Sequence, residues 1–200
     1  ALRLLSSYPE PPRMENLSAL LQDETPEVSP RALELLLKLD RDSGRTALAG
    51  VFQSTDAGRI HAVLDTMEDN PGLVKDALSE DFLNRYYKSS RVEERELAAR
   101  SAGFMPSTPE VVNRLSHLLE DSSTAVARAA AASVGRLRPP QLVRRLIGQL
   151  SRRPLRLGAR NALGRFGPEV VDPVLNLMKD PNQDLNLRRA LPQVLAEFED

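Results

Sequence analysis

Cysteine and tryptophan are both missing from this 200-residue chain, and it has only two histidines. Without cysteine there is no disulfide framework and no thiolate metal site. The absence fits a reducing compartment. His61 and His117 lie far apart, and neither belongs to a metal-ligand motif. No apolar run approaches the roughly 18–20 residues that span a bilayer. The first residues carry no signal-peptide pattern. A nucleophile elbow, a phosphate-cradling glycine loop and a His-Glu-x-x-His motif are all missing. The sequence therefore nominates no catalytic residue, no metal ligand and no cofactor site. Aromatic residues make up only 4% of the chain. A helical glycosylase would need aromatic walls and a carboxylate around its base, so that class fits poorly.

What is present is leucine, alanine and valine in helical rhythm. An amphipathic helix, a short polar turn and a second, alanine-rich helix recur along the chain. Pro109–Leu119 is one first helix, followed by a turn at 120–123 and a second helix over Thr124–Leu137. The next unit starts at Pro140, turns at Ser151–Pro154 and continues over Leu155–Phe166. Another starts at Pro168, turns at Lys179–Asn182 and runs on to Phe198. Val134, Leu163 and Leu191 recur at steps of 29 and 28 residues, and Gly103, Gly135 and Gly164 at steps of 32 and 29. A two-helix period near 30 marks a helical repeat array. The three prolines suit the first helical turn, where the missing N–H has no intrahelical partner to lose. Thr108 is placed to cap the helix at Pro109.

The N-terminal half is more degenerate. Met14–Gln22, followed by Asp23–Val28 and then Arg31–Leu37, form one pair, Gly44–Gln53 and Ala57–Met67 a weaker one. Leu73–Lys88 and Val92–Phe104 form a third. The fold predicted is all-α: an α-α superhelix of about six helix pairs over residues 1–200 as one domain. Stacking should bury Leu115, Leu118 and Leu119 against Val143, Leu146 and Ile147, and those against Val170, Val171, Val174 and Leu177. Alanines at 129–132, 159 and 162 should let second helices approach closely. Neither end shows the polar cap that terminal repeats need, so the expectation is a piece of a longer protein.

Segments such as DETPEVSPRALELLLKLD and LEDSSTAVARAAAASVGRL resemble the short HEAT repeats of bacterial proteins, including the phycobilisome-lyase type. Asp121, Val126, Arg128 and Gly135 follow that pattern loosely; Ala159, Ala162, Leu163 and Gly164 follow it well. The stretch ARNALGRFGPEVVDPVLNLMKDPNQDLNLRRALPQVLAEF is similar to the HEAT region of bacterial major-facilitator, nucleotide-carrier-like membrane proteins. Its best match is RRALPQVL at 188–195, where a proline interrupts a helix. The resemblance implies a HEAT-type array. It further implies a regulatory domain in the cytoplasm, tethered to the inner membrane through a parent chain that can also hold a cyclic-nucleotide-binding domain. It specifies fold better than function.

The net charge of −1 conceals segregation. Residues 1–121 hold 14 basic and 21 acidic residues, whereas residues 122–168 hold ten arginines and no acid. Arg136, Arg138, Arg144, Arg145, Arg152, Arg153, Arg156, Arg160 and Arg165 fall in this block. Arg144, Arg145, Arg152, Arg153, Arg156 and Arg160 are the candidate contacts for a partner, an anionic ligand or an acidic lipid surface. The competing reading is an inter-repeat ladder in which Asp121 serves Arg128, and Asp180 or Asp184 serves Arg188 and Arg189. Glu120 is another acid within reach across the stack. Tyr86 and Tyr87, near Phe82 and Phe104, are either core filling or a second, aromatic contact patch.

The functional reading is a non-enzymatic interaction scaffold with a protein partner. The alternatives are anion or nucleic-acid binding through Arg136–Arg165, and a lyase- or glycosylase-like repeat enzyme. Nucleic acid fits less well than protein, because the total charge is balanced and stacking aromatics are scarce.

Overall fold

The computed structural model describes residues 20–21, 28–54, 56–66, 68 and 78–198. Every regular element among them is helical. The chain divides into two compact units, residues 1–82 and 83–200.

In the first unit, α1 (Val28–Leu39), α2 (Arg41–Gln53) and α3 (Ala57–Thr66) pack on one another. Asp40 alone separates α1 from α2. Its Oδ1 accepts from the backbone N–H of Asp42 and Ser43, each at 3.2 Å, which satisfies two orphan donors at the start of α2. Leu33, Leu36, Leu48, Ile60 and Leu64 form the core. Gly44 lets α2 approach α1, because a Cβ there would lie 2.7 Å from the Leu37 Cα. Phe52 meets Phe82 edge to face at 5.4 Å between centroids. The helix predicted over 14–22 lies almost wholly outside the described residues, as does the start of the one predicted over 73–88. The latter is shorter than predicted: α4 runs Glu80–Tyr86, with Leu78 and Ser79 non-helical before it and a turn at 87–88 after it. Ser79 supplies a cap, its hydroxyl accepting from the Phe82 N–H at 3.2 Å.

The second unit contains the clearer repeat. First helices α6 (Pro109–Leu119), α8 (Val143–Gln149) and α10 (Val171–Lys179) alternate with second helices α5 (Val92–Ala102), α7 (Thr124–Leu137) and α9 (Arg156–Gly164). A last second helix is broken into α11 (Leu185–Ala190) and α12 (Pro192–Leu195). The break falls at Pro192, which has no N–H to continue the ladder. Thr108 caps α6 as expected, its Oγ1 accepting from Val111 N–H at 3.3 Å. Pro140 and Pro168 do not open α-helices directly. Each starts a one-turn 3₁₀ segment, Pro140–Leu142 and Pro168–Val170, that leads into α8 and α10.

The second helices make the broadest contacts: α7 packs between α5 and α9. Val134, Leu163 and Leu191, the residues in repeat register, are all fully buried. Ala98, Ala99, Ala102, Ala127, Ala130, Ala131, Ala159 and Ala162 line the crossings. Of the alanine run 129–132, only Ala130 and Ala131 are buried, because helical rotation turns Ala132 to solvent. On the first helices, Leu115, Leu118, Leu119, Leu146, Ile147, Val170 and Val174 are buried, while Val143, Val171 and Leu177 are only partly so.

The recurring glycines explain the tightness of this packing. A Cβ at Gly103 would lie 2.6 Å from Ser133 Oγ, and one at Gly135 would lie 2.8 Å from Ala162 Cα. Ser133 uses the same proximity, donating to the Ala99 carbonyl at 2.6 Å. Gly135→Ala should therefore lower stability by about 1–3 kcal/mol through overpacking, despite alanine's better helix propensity. Gly148→Ala, on open surface in α8 with nothing within 4 Å of a built Cβ, should raise stability by up to ~1 kcal/mol. Urea midpoints of the two variants against wild type check both signs.

Candidate functional site

The acid-free stretch 122–168 covers α7, α8 and α9. Its arginines separate into those engaged within the fold and those left at the surface. The guanidinium of Arg136 lies over the Phe104 ring, 4.3 Å from the centroid. The stem of Arg128 crosses α9 at Gly158, where a Cβ would stand 3.3 Å from the Arg128 Cγ. Arg145 pairs with Glu120 from the turn of the preceding repeat. Arg156 Nε donates to the Leu150 carbonyl at 2.8 Å, closing the turn that precedes its own helix. Arg160 Nε lies 3.2 Å from Glu197 Oε1, an ion pair without hydrogen-bond alignment.

Three of the six candidates remain. Arg144, Arg152 and Arg153 are exposed and form no ion pair among the described residues. Arg152 and Arg153 stand on a turn of fixed shape, since the Arg152 carbonyl accepts from Leu155 N–H at 2.9 Å and Arg156 N–H at 3.1 Å. Leu157, one residue into α9 and four after Arg153 in sequence, is 61% exposed. The sequence reading overlooked Leu157, although its phase gives it away. Leu155, Ala159, Ala162 and Leu163 share the buried face, and Leu157 falls about 200° from Leu155. Arginine is among the residues enriched at protein contact surfaces.

The expected ladder takes a different course. Asp121 does not serve Arg128. Its carboxylate instead accepts two bonds from Arg95 of α5, Nε–Oδ2 at 2.7 Å and Nη2–Oδ1 at 3.0 Å. Arg95 Nη1 also donates to the Ser89 and Ser90 carbonyls, at 2.9 and 3.1 Å. Asp180 and Asp184 are first of all turn and cap acceptors: Asp180 Oδ1 takes the Asn182 N–H at 2.9 Å, and Asp184 Oδ1 the Leu187 N–H at 3.0 Å, while the expected Arg188 adds its charge to the bonds that hold the Asp180 carboxyl below its ordinary value. Glu120 does reach an arginine of the block, as expected.

The aromatic patch is not a single surface. Tyr86 is buried and belongs to the core, which corrects its reading as a contact residue. Tyr87 is partly exposed and lies between two cations, Lys88 Nζ at 5.2 Å and Arg114 Cζ at 5.1 Å from its centroid. Arg114 is held there by donating from Nε to Asn84 Oδ1 at 2.6 Å. Tyr86 is the last residue of α4 and Tyr87 lies in the turn that follows, and the two side chains part there.

Among the described residues, no group of three or more histidines, aspartates or glutamates could hold a metal ion. No helix among them is long and apolar enough to cross a membrane.

No protein-family model matches the chain, and no curated protein shows significant similarity to it. Solved structures do resemble it. An engineered protein from a structural genomics consortium aligns over 93% of this chain and 96% of its own, with 18% identity and a TM-score of 0.54. A second engineered protein aligns over 94% and 99%, with 13% identity and a TM-score of 0.52. A designed armadillo repeat protein aligns over 92% and 99%, also with 13% identity and a TM-score of 0.52. At these identities the likeness establishes the fold alone: the chain is an all-α helical repeat protein.

The Arg95–Asp121 pair sets an acid sensitivity. Burial raises the Asp121 carboxyl, but the Arg95 bonds and the Ser123 N–H outweigh it and hold the group below its ordinary value. A depressed carboxylate contributes fully above the ordinary value near 4, and the contribution is lost as pH falls through the folded one. Asp121→Asn should cost about 1–3 kcal/mol at neutral pH. The gap from wild type should narrow towards pH 3, as urea midpoints at pH 7 and pH 3 would show.

Proposed function

We propose that this chain is a non-enzymatic interaction scaffold that recognises an acidic protein surface through Arg144, Arg152 and Arg153, with Leu157 as an apolar neighbour. The observation that carries this reading is the partition of the arginine block. Half of its candidates are used inside or between repeats, and these three stand exposed in a stretch that contains no acid. Arginine offers a planar, multiply donating head suited to carboxylates, and a rigid turn lowers the ordering cost of binding.

The finer assignment is to the short HEAT type. It is supported by the 28–29-residue step of Val134, Leu163 and Leu191, and by polar turns carrying Asp121 and Asp180. The association with a bacterial membrane transporter-like protein rests on the likeness of 159–198, including the helix broken at Pro192.

Arg156 is a poor probe of the surface because it closes a turn, so the informative change is Arg152→Glu with Arg153→Glu. A partner captured by the folded chain should bind this variant at least about tenfold more weakly at ~0.15 M salt, with an unchanged melting transition. Equal binding by variant and wild type would overturn the assignment to this surface. Loss of capture on nuclease treatment would replace the protein partner with nucleic acid.

A further inference from the structure

Arg138 ends α7 in the left-handed region, with φ 51° and ψ 48°. It is the one non-glycine residue with positive φ among the described residues. Twenty-nine residues on, in the link that precedes the next first helix, the other positive-φ residue among the described ones is a glycine, Gly167 (φ 79°, ψ −161°). Glycine suits the left-handed conformation of Arg138; arginine does not, because its Cβ crowds the following carbonyl. The local geometry favours glycine, yet this repeat holds an exposed cation there.

Arg138 and Arg145 both line an open groove of about 530 Å³ between α6 and the Arg138–Arg145 segment. Val112 and Ser116 face it from α6, with Pro140 and Leu142 opposite. The volume lies within the ~300–1,000 Å³ of ligand sites. No carboxylate lines it, and three prolines do. Prolines lack N–H groups, so much of this wall offers apolar surface and carbonyls rather than backbone donors. Charged donors come from the two arginines. Arg145 is already paired with a carboxylate, that of Glu120, which is 65% exposed. An exposed pair of this kind is weak enough to exchange for another carboxylate.

We propose that this groove binds an extended acidic segment of a partner protein. Arg138 takes one carboxylate, and Arg145 exchanges Glu120 for a second. Val112, Pro140 and Leu142 cover an apolar side chain between them. The proposal rests on the interaction-scaffold reading but places the contact between α6 and the 138–145 segment, apart from the Arg152–Arg153 turn. It also accounts for an arginine in a glycine conformation.

The test is fluorescence polarisation on the whole chain, with a short labelled peptide alternating glutamate and leucine and its glutamine counterpart as control. Arg138→Gly should bind at least about tenfold more weakly, the scale of one charge-assisted hydrogen bond. Its melting temperature should equal or exceed that of wild type, because glycine relieves the backbone. Arg145→Gln should weaken binding similarly, and Glu120→Gln should strengthen it by removing the competitor. Arg152→Gln with Arg153→Gln should change it by less than about twofold, as expected for charges outside the groove. Equal losses in all arginine variants, or equal binding of the glutamine peptide, would overturn the groove. So would absence of binding at low salt. The scaffold reading is decided separately, by whether partner capture depends on Arg152 and Arg153.

Discussion

The close crossing of successive second helices governs the second unit. α5, α7 and α9 meet through alanine, serine and glycine, and at Gly103 and Gly135 there is no room for a Cβ. Small residues at a crossing give up apolar area per side chain but bring whole backbones into van der Waals contact. The same proximity lets Ser133 satisfy its hydroxyl on the Ala99 carbonyl, where a wider spacing would leave a polar atom buried and unpaired. The first helices then close over this spine with leucine and valine. Stability in such an array is a sum of neighbour interfaces, so each glycine matters to one junction.

Electrostatics follows from that geometry. With the spine fixed, Glu120 and Asp121, the acids of one turn, pair with arginines of neighbouring repeats rather than of their own. Arg95–Asp121 and Arg145–Glu120 span 26 and 25 residues of sequence. These pairs occupy cations that look equivalent in sequence to the ones left exposed. A positive surface therefore arises by subtraction: the segment 122–168 carries no acid of its own, and neighbouring repeats supply too few to neutralise it.

Much of the fold was legible in the residues because helical repeats announce themselves locally. The register of Val134, Leu163 and Leu191, the cap at Thr108 and the break at Pro192 each depend on a few neighbouring residues. The proline-led 3₁₀ turns at Pro140 and Pro168 were not legible, since an N-terminal proline suits either helix type and packing chooses. The start of α4 at Glu80 was missed because the apolar pattern continues upstream through Leu73, Val74, Ala77 and Leu78. Tyr86 and Tyr87 could not be told apart by composition; α4 ends between them, leaving one in the core and the other in a turn at the surface.

The sequence by itself determined an all-α repeat, its period and an arginine-rich, acid-free central segment, because these follow from spacing and charge along the chain. Only the tertiary structure decided which arginines are spent and which remain. Asp121 chose Arg95 over Arg128, and Arg156 turned back to Leu150. Arg138 was placed, in a glycine conformation, at the edge of a groove. Such choices depend on distances between residues remote in sequence, and a one-dimensional pattern of charges does not contain those distances.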